Sequence, residues 1–501
     1  MSSAASAGSV ELTFLGHQSW HLRAGDTVVL VDPILTPAFG AGAVEFPVWP
    51  PRRVDHGAMP APDAVLLTHE HLDHLHFASL ALLDRTTPIH TGQTLPAAVV
   101  EALTTLGFTV HRHSHHQPIT IGDLEVWLYP AGARTLFWES RVVQPVVRRA
   151  GSARDVFIGV DADISDLYVE QIRAGRMPVP WLAVVSNNTQ SVPYGALGAD
   201  VNLLPGLDGP RHRTTGIQAL HTLLIDYLEP LDGVREVALC GNGFTAPRSP
   251  HGPFLYADHR ALAQAANLLQ HLFRVHGPRP GDQLTVPPDG PLTTGSAAWV
   301  SIDAAAEQAG LDRLDAFLAD PRPVEPTPVG PAIPPEDSAA VQRLVAAELP
   351  RLARHLIATR TGALATSLHD YLYGPLDGRR LLLRLLAPPG RLDQIASYAW
   401  DITGPAFAPV PTTLRDEAMA TYPFGIEIFY QDLVALLAGR LQVWDIVGGS
   451  YQGWYVGERL DSPVYALFAV YGEHQRPDLA ARCYTESLAR LTGLAPAPSA
   501  P

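Results

Sequence analysis

The sequence predicts an α/β fold, and three observations in its first half support this. Short apolar runs that end at Gly, Asp or Pro predict strands, among them VELTFLG, TVVLVDPIL and DAVLLTHEH. Segments with apolar residues at helical spacing follow, such as FASLALLDR and LPAAVVEALTTLG. Strand patterns then recur in LEVWLYP, DVFIGVD and WLAVVSN. Strands mixed with helices on this scale are typical of the α/β class.

Composition divides the chain into segments that we expect to fold separately. Residues 1–9 are small and polar and predict a disordered tail, whereas the strands and helices described above extend over a domain at 10–276. Proline and glycine are dense over 277–335, which predicts a linker. Apolar residues at helical spacing reappear in SAAVQRLVAAELPRLARHLIATR and IEIFYQDLVALLAGRLQVW. They predict a separate C-terminal accessory domain over 336–495, either α-rich or α+β.

The overall charge excludes some classes of partner. The 501 residues carry a formal net charge of -15, which argues against nucleic acid or an anionic membrane, because either partner requires a basic face.

Cys240 and Cys483 are too far apart to suggest a disulfide framework or a thiolate zinc site. The sequence shows no secretory leader and no apolar stretch of the roughly 18 residues that a membrane span needs. We therefore expect a cytoplasmic protein.

One short segment combines several metal-binding side chains. Directly after the apolar strand DAVLL the chain reads THEHLDHLH, which places His69, His71, Asp73 and His74 within six positions. In an extended loop, imidazoles at i and i+2 converge on one ion, while a carboxylate and an imidazole further along turn towards a second ion. The segment therefore predicts a site for two metal ions.

These four residues fill the pattern HxHxDH, and on that basis the sequence resembles the metallo-β-lactamase superfamily. The resemblance extends upstream, where FLGHQSWHL and VVLVDPIL are similar to the opening strands of the branch that contains lactonases and phospholipase-D-like hydrolases. It implies an αβ/βα sandwich around a dinuclear metal centre. It also implies that Asp32 and His17 lie behind the metal ligands and orient them.

The superfamily further implies a carboxylate that bridges the two ions, at the end of a later strand. The segment FIGVDADIS offers Asp161 or Asp163 for this role. Asp161 is preferred because it follows the apolar strand more directly, and Asp163 is then a helix-capping residue.

A departure from the superfamily pattern concerns the third histidine on the first metal. The corresponding segment, LYPAGARTLFWESR, contains no histidine, and its strongest ligand is Glu139. Glu139 either replaces the histidine or pairs with Arg141 at the surface, in which case the first site is incomplete. With Glu139 included, the ligand set becomes rich in oxygen, which favours iron over zinc, with manganese as another alternative. It then resembles the diiron oxygenase branch that includes the β-hydroxylase of chloramphenicol biosynthesis.

The final histidine ligand of the superfamily has three candidates here, namely His212, His251 and His259. His251 is best placed because it follows the apolar strand VREVALC. If none of the three is a ligand, one coordination position stays open for dioxygen.

Other polar and aromatic residues have weaker assignments. Trp138, Asn187 and Asn188 are candidates for lining a substrate pocket. The histidine-rich residues 111–118 precede a strand and are interpreted as an exposed edge loop rather than a metal site. The C-terminal aromatics are assigned mainly to core packing, with a dimer or lid surface as the alternative; they are Trp444, Trp454 and Tyr455.

The sequence thus favours a dinuclear non-haem iron oxygenase that hydroxylates an organic substrate. By resemblance this substrate is a small molecule or an amino acid held on a carrier protein in secondary metabolism, and an electron donor is required. The alternative is a binuclear hydrolase of an ester, lactone, phosphodiester or sulfate ester. An oligomer is compatible with either hypothesis.

Overall fold

The computed structural model of the chain describes residues 8–115, 117–135, 141–187, 191–192, 200–203, 222–245, 255–256, 258–319, 328, 330–334, 338–357, 379–387, 394–401, 406–411, 414–447, 449–455 and 476–494. Within these ranges no helix is both long enough and apolar enough to cross a membrane.

The strands of the first 302 residues are, in chain order, β1 Val10–Gly16, β2 Ser19–Ala24, β3 Thr27–Val31, β4 Ala38–Phe39, β5 Phe46–Pro47, β6 Arg52–Val54, β7 Ala64–Leu67, β8 Ile89–Gly92, β9 Val110–His113, β10 Ile119–Ile121, β11 Leu124–Pro130, β12 Val143–Arg149, β13 Asp155–Ile158, β14 Leu182–Ser186, β15 Ser191–Val192, β16 Asp200–Asn202, β17 Glu236–Cys240, β18 Leu255–Tyr256, β19 Arg274–His276, β20 Asp282–Val286, β21 Thr293–Ser296 and β22 Val300–Ile302. The helices up to residue 319 are α1 Phe77–Leu80, α2 Ala97–Thr105, α3 Asp166–Arg173, α4 His259–Leu269 and α5 Ala304–Ala319, with a π-helical segment at Thr222–Tyr227 and a 3-10 turn at Glu229–Leu231.

Two large sheets contain most of these strands. The first has the order β21-β20-β1-β2-β3-β7-β8-β9, and the second has the order β10-β11-β12-β13-β14-β17-β19. In the first sheet β3, β7, β8 and β9 run parallel. In the second sheet β13, β14, β17 and β19 also run parallel. Each sheet therefore presents the carboxyl ends of several strands at one edge, which is where α/β proteins place their binding sites.

The two sheets pack face to face, and helices cover their outer faces. The interior between the sheets is formed by fully buried side chains from both, such as Leu12 and Val29 of the first and Val126 and Val156 of the second. Helices α1 and α2 cover the outer face of the first sheet, whereas α3 and α4 cover that of the second. The predicted α/β class with an αβ/βα sandwich is therefore confirmed.

The region 277–335 differs from the predicted linker. Strand β20 pairs with β1 and with β21 in the first sheet, and β22 pairs with β6. The linker prediction is thus wrong for residues 282–302, because local proline and glycine content does not reveal pairing with strands far away in sequence. The bounds 10–276 and 336–495 stay predictions, and residues 1–7 of the predicted tail lie outside the described residues.

The C-terminal part is an α+β unit. Its elements are α6 Ser338–Ile357, β23 Arg379–Leu386, β24 Gln394–Asp401, β25 Ala406–Val410, α7 Arg415–Thr421, β26 Phe424–Phe429, α8 Tyr430–Leu437, α9 Val443–Val447, β27 Tyr451–Tyr455 and α10 Pro477–Thr492. A third sheet has the order β16-β27-β26-β23-β24-β25, so that one strand from the first half extends it. Leu352 of α6 and Leu433 of α8 belong to the hydrophobic core on this sheet.

The last helix joins the C-terminal part to the first sheet. Helix α10 contacts α1 and α2, and its Leu488 is 3% exposed within the same hydrophobic cluster as Phe77 and Val99. Burial of this side chain links the two parts through apolar packing.

We predict that Leu488→Ala lowers the free energy of unfolding by about 2–5 kcal/mol, because the substitution leaves a cavity in a packed cluster. Urea denaturation followed by circular dichroism measures this effect. Leu494→Ala is the control, since Leu494 is 43% exposed, and it should stay within about 0.5 kcal/mol of the unsubstituted chain. Equal stabilities of the two variants would contradict the docking of α10.

Candidate metal centre

The predicted metal ligands that the structure describes lie where the parallel strands of both sheets end. The metal loop, which we define as residues 68–74, follows β7, and Asp32 follows the neighbouring strand β3. Asp161 follows β13 of the opposite sheet. The HxHxDH segment closes into a turn in which the backbone N–H of His74 donates to the carbonyl of His71 at 2.9 Å. Residues that are distant in sequence thereby meet at one edge of the sandwich.

Asp32 connects the beginning of the metal loop to its end. Its carboxylate accepts hydrogen bonds from the Thr68 backbone N–H at 2.8 Å and from the Thr68 hydroxyl at 2.6 Å. The same carboxylate accepts a third bond at 2.7 Å from Nδ1 of His74. Asp32 is fully buried and has a positive φ of 45°, a conformation that Asp and Asn tolerate better than most residues. This contact fixes the ring of His74 so that its Nε2 points towards Asp161.

Three donor groups converge on one point. The ligand atoms of His69, His74 and Asp161 all lie within 4.8 Å of one another. His74 Nε2 is 3.0 Å from Asp161 Oδ2 and 3.6 Å from Asp73 Oδ2. The ring of His71 lies 4.3 Å from that of His69, measured between centroids. The structure thus brings together His69, His74 and Asp161, with Asp73 and His71 beside them.

The charges of this cluster suit a metal cation. Burial lowers the pKa values of His69 and His71 well below the ordinary value, so both imidazoles are neutral. Burial also acts to lower the pKa of His74, but the carboxylates of Asp73, Asp32 and Asp161 outweigh it and raise that pKa. A positive charge is therefore favoured at the position that these three carboxylates surround.

One buried nitrogen of the cluster also indicates that these residues fit a metal ion. Nε2 of His69 is buried, has no hydrogen-bond partner among the described residues, and lies 3.9 Å from Asp161 Oδ2. A buried nitrogen without a partner is costly unless it binds a ligand. The residues present therefore fit a metal ion held by His69, His74 and Asp161, with Asp73 and His71 within reach.

His17 positions Asp73, as the resemblance implies. The backbone N–H of Gly243 donates to His17 Nδ1 at 3.0 Å, so the ring carries its proton on Nε2. Nε2 in turn donates to Asp73 Oδ2 at 2.8 Å. A side chain at position 243 would collide with the backbone of His17, whose Cα would lie 2.8 Å from the added Cβ. Phe39 and Phe244 enclose the ring, each with a centroid 5.3 Å away.

A second group of polar residues, which the sequence did not indicate, holds Asp161. Gln18 donates from Nε2 to Asp161 Oδ1 at 3.0 Å, and the Ser186 hydroxyl donates to the same oxygen at 3.2 Å. The thiol of Cys240 donates to Gln18 Oε1 at 3.1 Å, and burial raises its pKa so that it stays protonated. These bonds leave Asp161 Oδ2 facing His69 and His74. The only sequence signal for this group is that Gln18 is adjacent to His17.

Glu70 and Arg141 form a buried ion pair beside the metal loop. Arg141 donates from Nε to Glu70 Oε1 at 2.6 Å, and Glu70 is 5% exposed. Glu70 occupies a variable position of HxHxDH, so the motif gave no reason to assign it a role. Glu70 is thus one partner of Arg141 among the described residues, and the alternative Glu139–Arg141 pair lies outside them.

The C-terminal part reaches the metal centre through helix α9. The indole of Trp444 lies 5.1 Å from the ring of His71, centroid to centroid, at an interplanar angle of 62°. The next residue, Asp445, accepts a hydrogen bond at 3.2 Å from the backbone N–H of Val44. Burial raises the pKa of Asp445 to about 6. Trp454 and Tyr455 are core residues, as predicted, whereas Trp444 is half-buried and contacts a predicted metal ligand.

The remaining candidate residues are placed as follows. Asn187 is buried after β14, and its backbone N–H donates to the Cys240 carbonyl at 2.6 Å. His259 is buried at the start of α4, where burial and the neighbouring His17 lower its pKa to about 3. Asp163 accepts from the Gly132 N–H through its backbone carbonyl. The candidates that lie outside the described residues are Glu139, Trp138, Asn188, His212 and His251.

A family model matches the first part of the chain. Residues 11–139 match the model of the beta-lactamase superfamily domain, which confirms the superfamily resemblance for this region. No curated protein matches the chain significantly.

Solved structures with similar folds include enzymes of two kinds. Igni18, a metallo hydrolase from Ignicoccus hospitalis, is 18% identical with a TM-score of 0.35, and the match covers 56% of this chain and 98% of that one. Isothiocyanate hydrolase from Delia radicum gut bacteria is 15% identical with a TM-score of 0.36, covering 57% and 100%. CmlA, a diiron beta-hydroxylase from Streptomyces venezuelae, is 18% identical with a TM-score of 0.33, covering 47% and 45%. TM-scores below 0.5 leave the reaction of this chain open.

We predict that Asp32→Asn weakens metal binding roughly 10- to 100-fold, as loss of a partner behind a metal-binding histidine commonly does. Asparagine tolerates the positive φ but cannot accept from His74 as a carboxylate does. Competition with a chromophoric chelator measures the affinity. Asp26→Asn, at an exposed turn residue, is the control, and an affinity of Asp32→Asn equal to this control would show that Asp32 does not position His74.

Proposed function

We propose that this chain, whose residues 11–139 match the model of the beta-lactamase superfamily domain, is a metal-dependent enzyme with a dinuclear iron centre that oxidises an organic substrate. The observation that carries the proposal is the concentration of carboxylates at the centre. Asp73 and Asp161 face His74 at 3.6 and 3.0 Å, and Asp32 supports the same ring from behind. Anionic oxygen ligands favour iron over zinc and stabilise its ferric state.

In this proposal the ligands divide into two sets. His69, His71 and Glu139 would hold one ion, and Asp73 with His74 would hold the other. Asp161 would serve both ions, and its negative charge would screen the repulsion between the two cations. Two irons held in this way would supply dioxygen activation.

The protein's own contribution is to orient these ligands before any ion binds. Asp32 keeps the proton of His74 on Nδ1, which leaves Nε2 directed into the centre. His17 donates to one oxygen of Asp73, and Gln18 donates to one oxygen of Asp161. Asp161 thus keeps Oδ2 for a metal, because Gln18 occupies its Oδ1. In Asp73 the oxygen that His17 orients, Oδ2, is also the one that faces His74. Such prior orientation lowers the cost of assembling the centre.

Aromatic side chains restrict access of water to the centre. Phe39 and Phe244 pack on His17, while Trp444 covers one side of His71. A dry surrounding strengthens electrostatic interactions and protects reactive species from water. We propose that the substrate enters beside Trp444, so that the C-terminal part contributes to substrate selection.

The substrate class is a small organic molecule, or an amino acid held on a carrier protein, and an external electron donor supplies reductant. The net charge of -15 disfavours binding to nucleic acid, because both molecules are negatively charged.

A binuclear hydrolase is the second candidate function. The five predicted ligands that the structure describes comprise three imidazoles and two carboxylates, a set that also suits zinc. In that case the bound metals would supply Lewis-acid activation of water for hydrolysis of an ester, lactone, phosphodiester or sulfate ester. Glu139 would add a third carboxylate and so favour iron. Its ligation therefore has the largest influence on whether the oxygenase or the hydrolase is the better assignment.

We predict that protein reconstituted anaerobically with ferrous iron retains about two irons per chain, as a dinuclear site requires. It should then consume oxygen only when a reductant is added. Elemental analysis and an oxygen electrode measure both quantities. Retention of two zinc ions in preference to iron, with ester turnover in the absence of oxygen, would favour the hydrolase instead.

We further predict that Glu139→Ala lowers the iron content by about one ion per chain, because the first ion loses its only carboxylate ligand that is not shared. Elemental analysis after removal of free iron measures this content. Glu101→Ala, on the exposed face of α2, is the matched control and should retain full iron. Full iron content and full oxygen consumption in Glu139→Ala would show that the assignment of Glu139 is wrong.

A further inference from the structure

Three histidines lie together at the edge of the first sheet, away from the metal loop. His90 is on β8, and His111 and His113 are on β9, the last strand of the sheet. The strands run parallel, and His90 is the register partner of His111. Since side chains alternate along a strand, His111 and His113 share a face, and His90 lies on the same face. The predicted edge loop over residues 111–118 thus begins within a strand that presents imidazoles.

The three rings are close enough to act as a unit. The rings of His90 and His113 are stacked, with centroids 5.1 Å apart and an interplanar angle of 16°. His90 Nδ1 and His113 Nε2 share a hydrogen bond of 2.9 Å, which a metal ion bound to both nitrogens would replace. The ring of His111 stacks on His90 with its centroid 5.1 Å away, and lies 6.4 Å from that of His113. His111 is exposed, so its side chain can change rotamer freely.

The spacing of the first two nitrogens matches that of ligands to one ion. With metal–nitrogen distances of about 2.0–2.1 Å, two nitrogens at right angles around a metal lie about 2.9 Å apart, as in square-planar Cu²⁺, whereas tetrahedral Zn²⁺ would separate them by about 3.3 Å. Burial, together with His113 and His111, lowers the pKa of His90 to about 4. Burial and His111 likewise lower the pKa of His113. Both rings are therefore neutral at pH 7 and need not lose a proton to bind a metal.

We propose that His90, His111 and His113 form a second metal site, which binds one Cu²⁺ ion at the edge of the sheet. His90 and His113 supply two nitrogens in nearly their present positions, and a rotamer change of His111 supplies the third. Imidazole ligands select zinc, copper or nickel over magnesium, calcium or manganese. The site differs in this respect from the carboxylate-rich centre at His74, so the two sites take different metals.

Binding at this site ties β9 to β8. A sheet edge is otherwise held by backbone pairing on one side only. An ion that binds the folded state stabilises it by mass action, so the melting temperature rises with its concentration.

The test uses iron-loaded protein and Cu²⁺ as the probe. We expect the unsubstituted chain to bind one Cu²⁺ beyond its iron with a Kd on the order of 1 µM or tighter. Its electron paramagnetic resonance spectrum should show splitting by imidazole nitrogens. His111→Ala/His113→Ala removes two ligands and should weaken Cu²⁺ binding by at least roughly 10- to 100-fold. That is the loss that commonly follows removal of a residue hydrogen-bonded to a metal ligand.

The control is His56→Ala/His271→Ala, in which two exposed histidines elsewhere are replaced, and it should bind copper as the unsubstituted chain does. His111→Ala alone removes an exposed side chain and should weaken binding in the same direction if the double variant fails to fold. Equal copper stoichiometry and affinity in the substituted and control proteins would overturn the proposal. Copper that only displaces iron, without an additional bound ion, would also overturn it.

Discussion

The metal centre depends above all on the carboxylate of Asp32, which bonds to both ends of the metal loop. It accepts from Thr68 at the start of the loop and from His74 at its end, entirely shielded from water. Because buried donors without an acceptor are costly, this one side chain fixes the loop. The guanidinium of Arg52 also stabilises the backbone around Asp32. It donates to the carbonyls of Leu15, Ile34 and Thr36. It thus holds the two segments that carry His17 and Asp32.

The second constraint is that both sheets direct the ends of their parallel strands to the same place. The first sheet supplies the metal loop, and the second supplies Asp161 with Ser186. The C-terminal part then closes this edge, because Trp444 packs on His71 and Asp445 holds the backbone of Val44. The accessory region is therefore part of the surroundings of the metal centre, and this contact is a physical basis for a role in substrate selection.

Sequence reasoning was most successful where the information is local. The HxHxDH segment, Asp32 and His17 follow from contiguous motifs, and the structure places all of them together. By contrast, Gln18, Ser186 and Cys240 form one network only because three strands end at the same edge. The contact of Trp444 with His71 and the pairing of β20 with β1 likewise join residues hundreds of positions apart. His90 was overlooked because only strand pairing places it beside His111.

The most direct test of the central claim is a diffraction measurement on crystals of iron-loaded protein at the iron absorption edge. An anomalous difference map locates iron without reference to the protein atoms. We predict two peaks roughly 3.5–4 Å apart, the separation usual in two-metal sites, between His69, His74 and Asp161. A single peak, or no iron at these residues, would contradict a dinuclear iron centre.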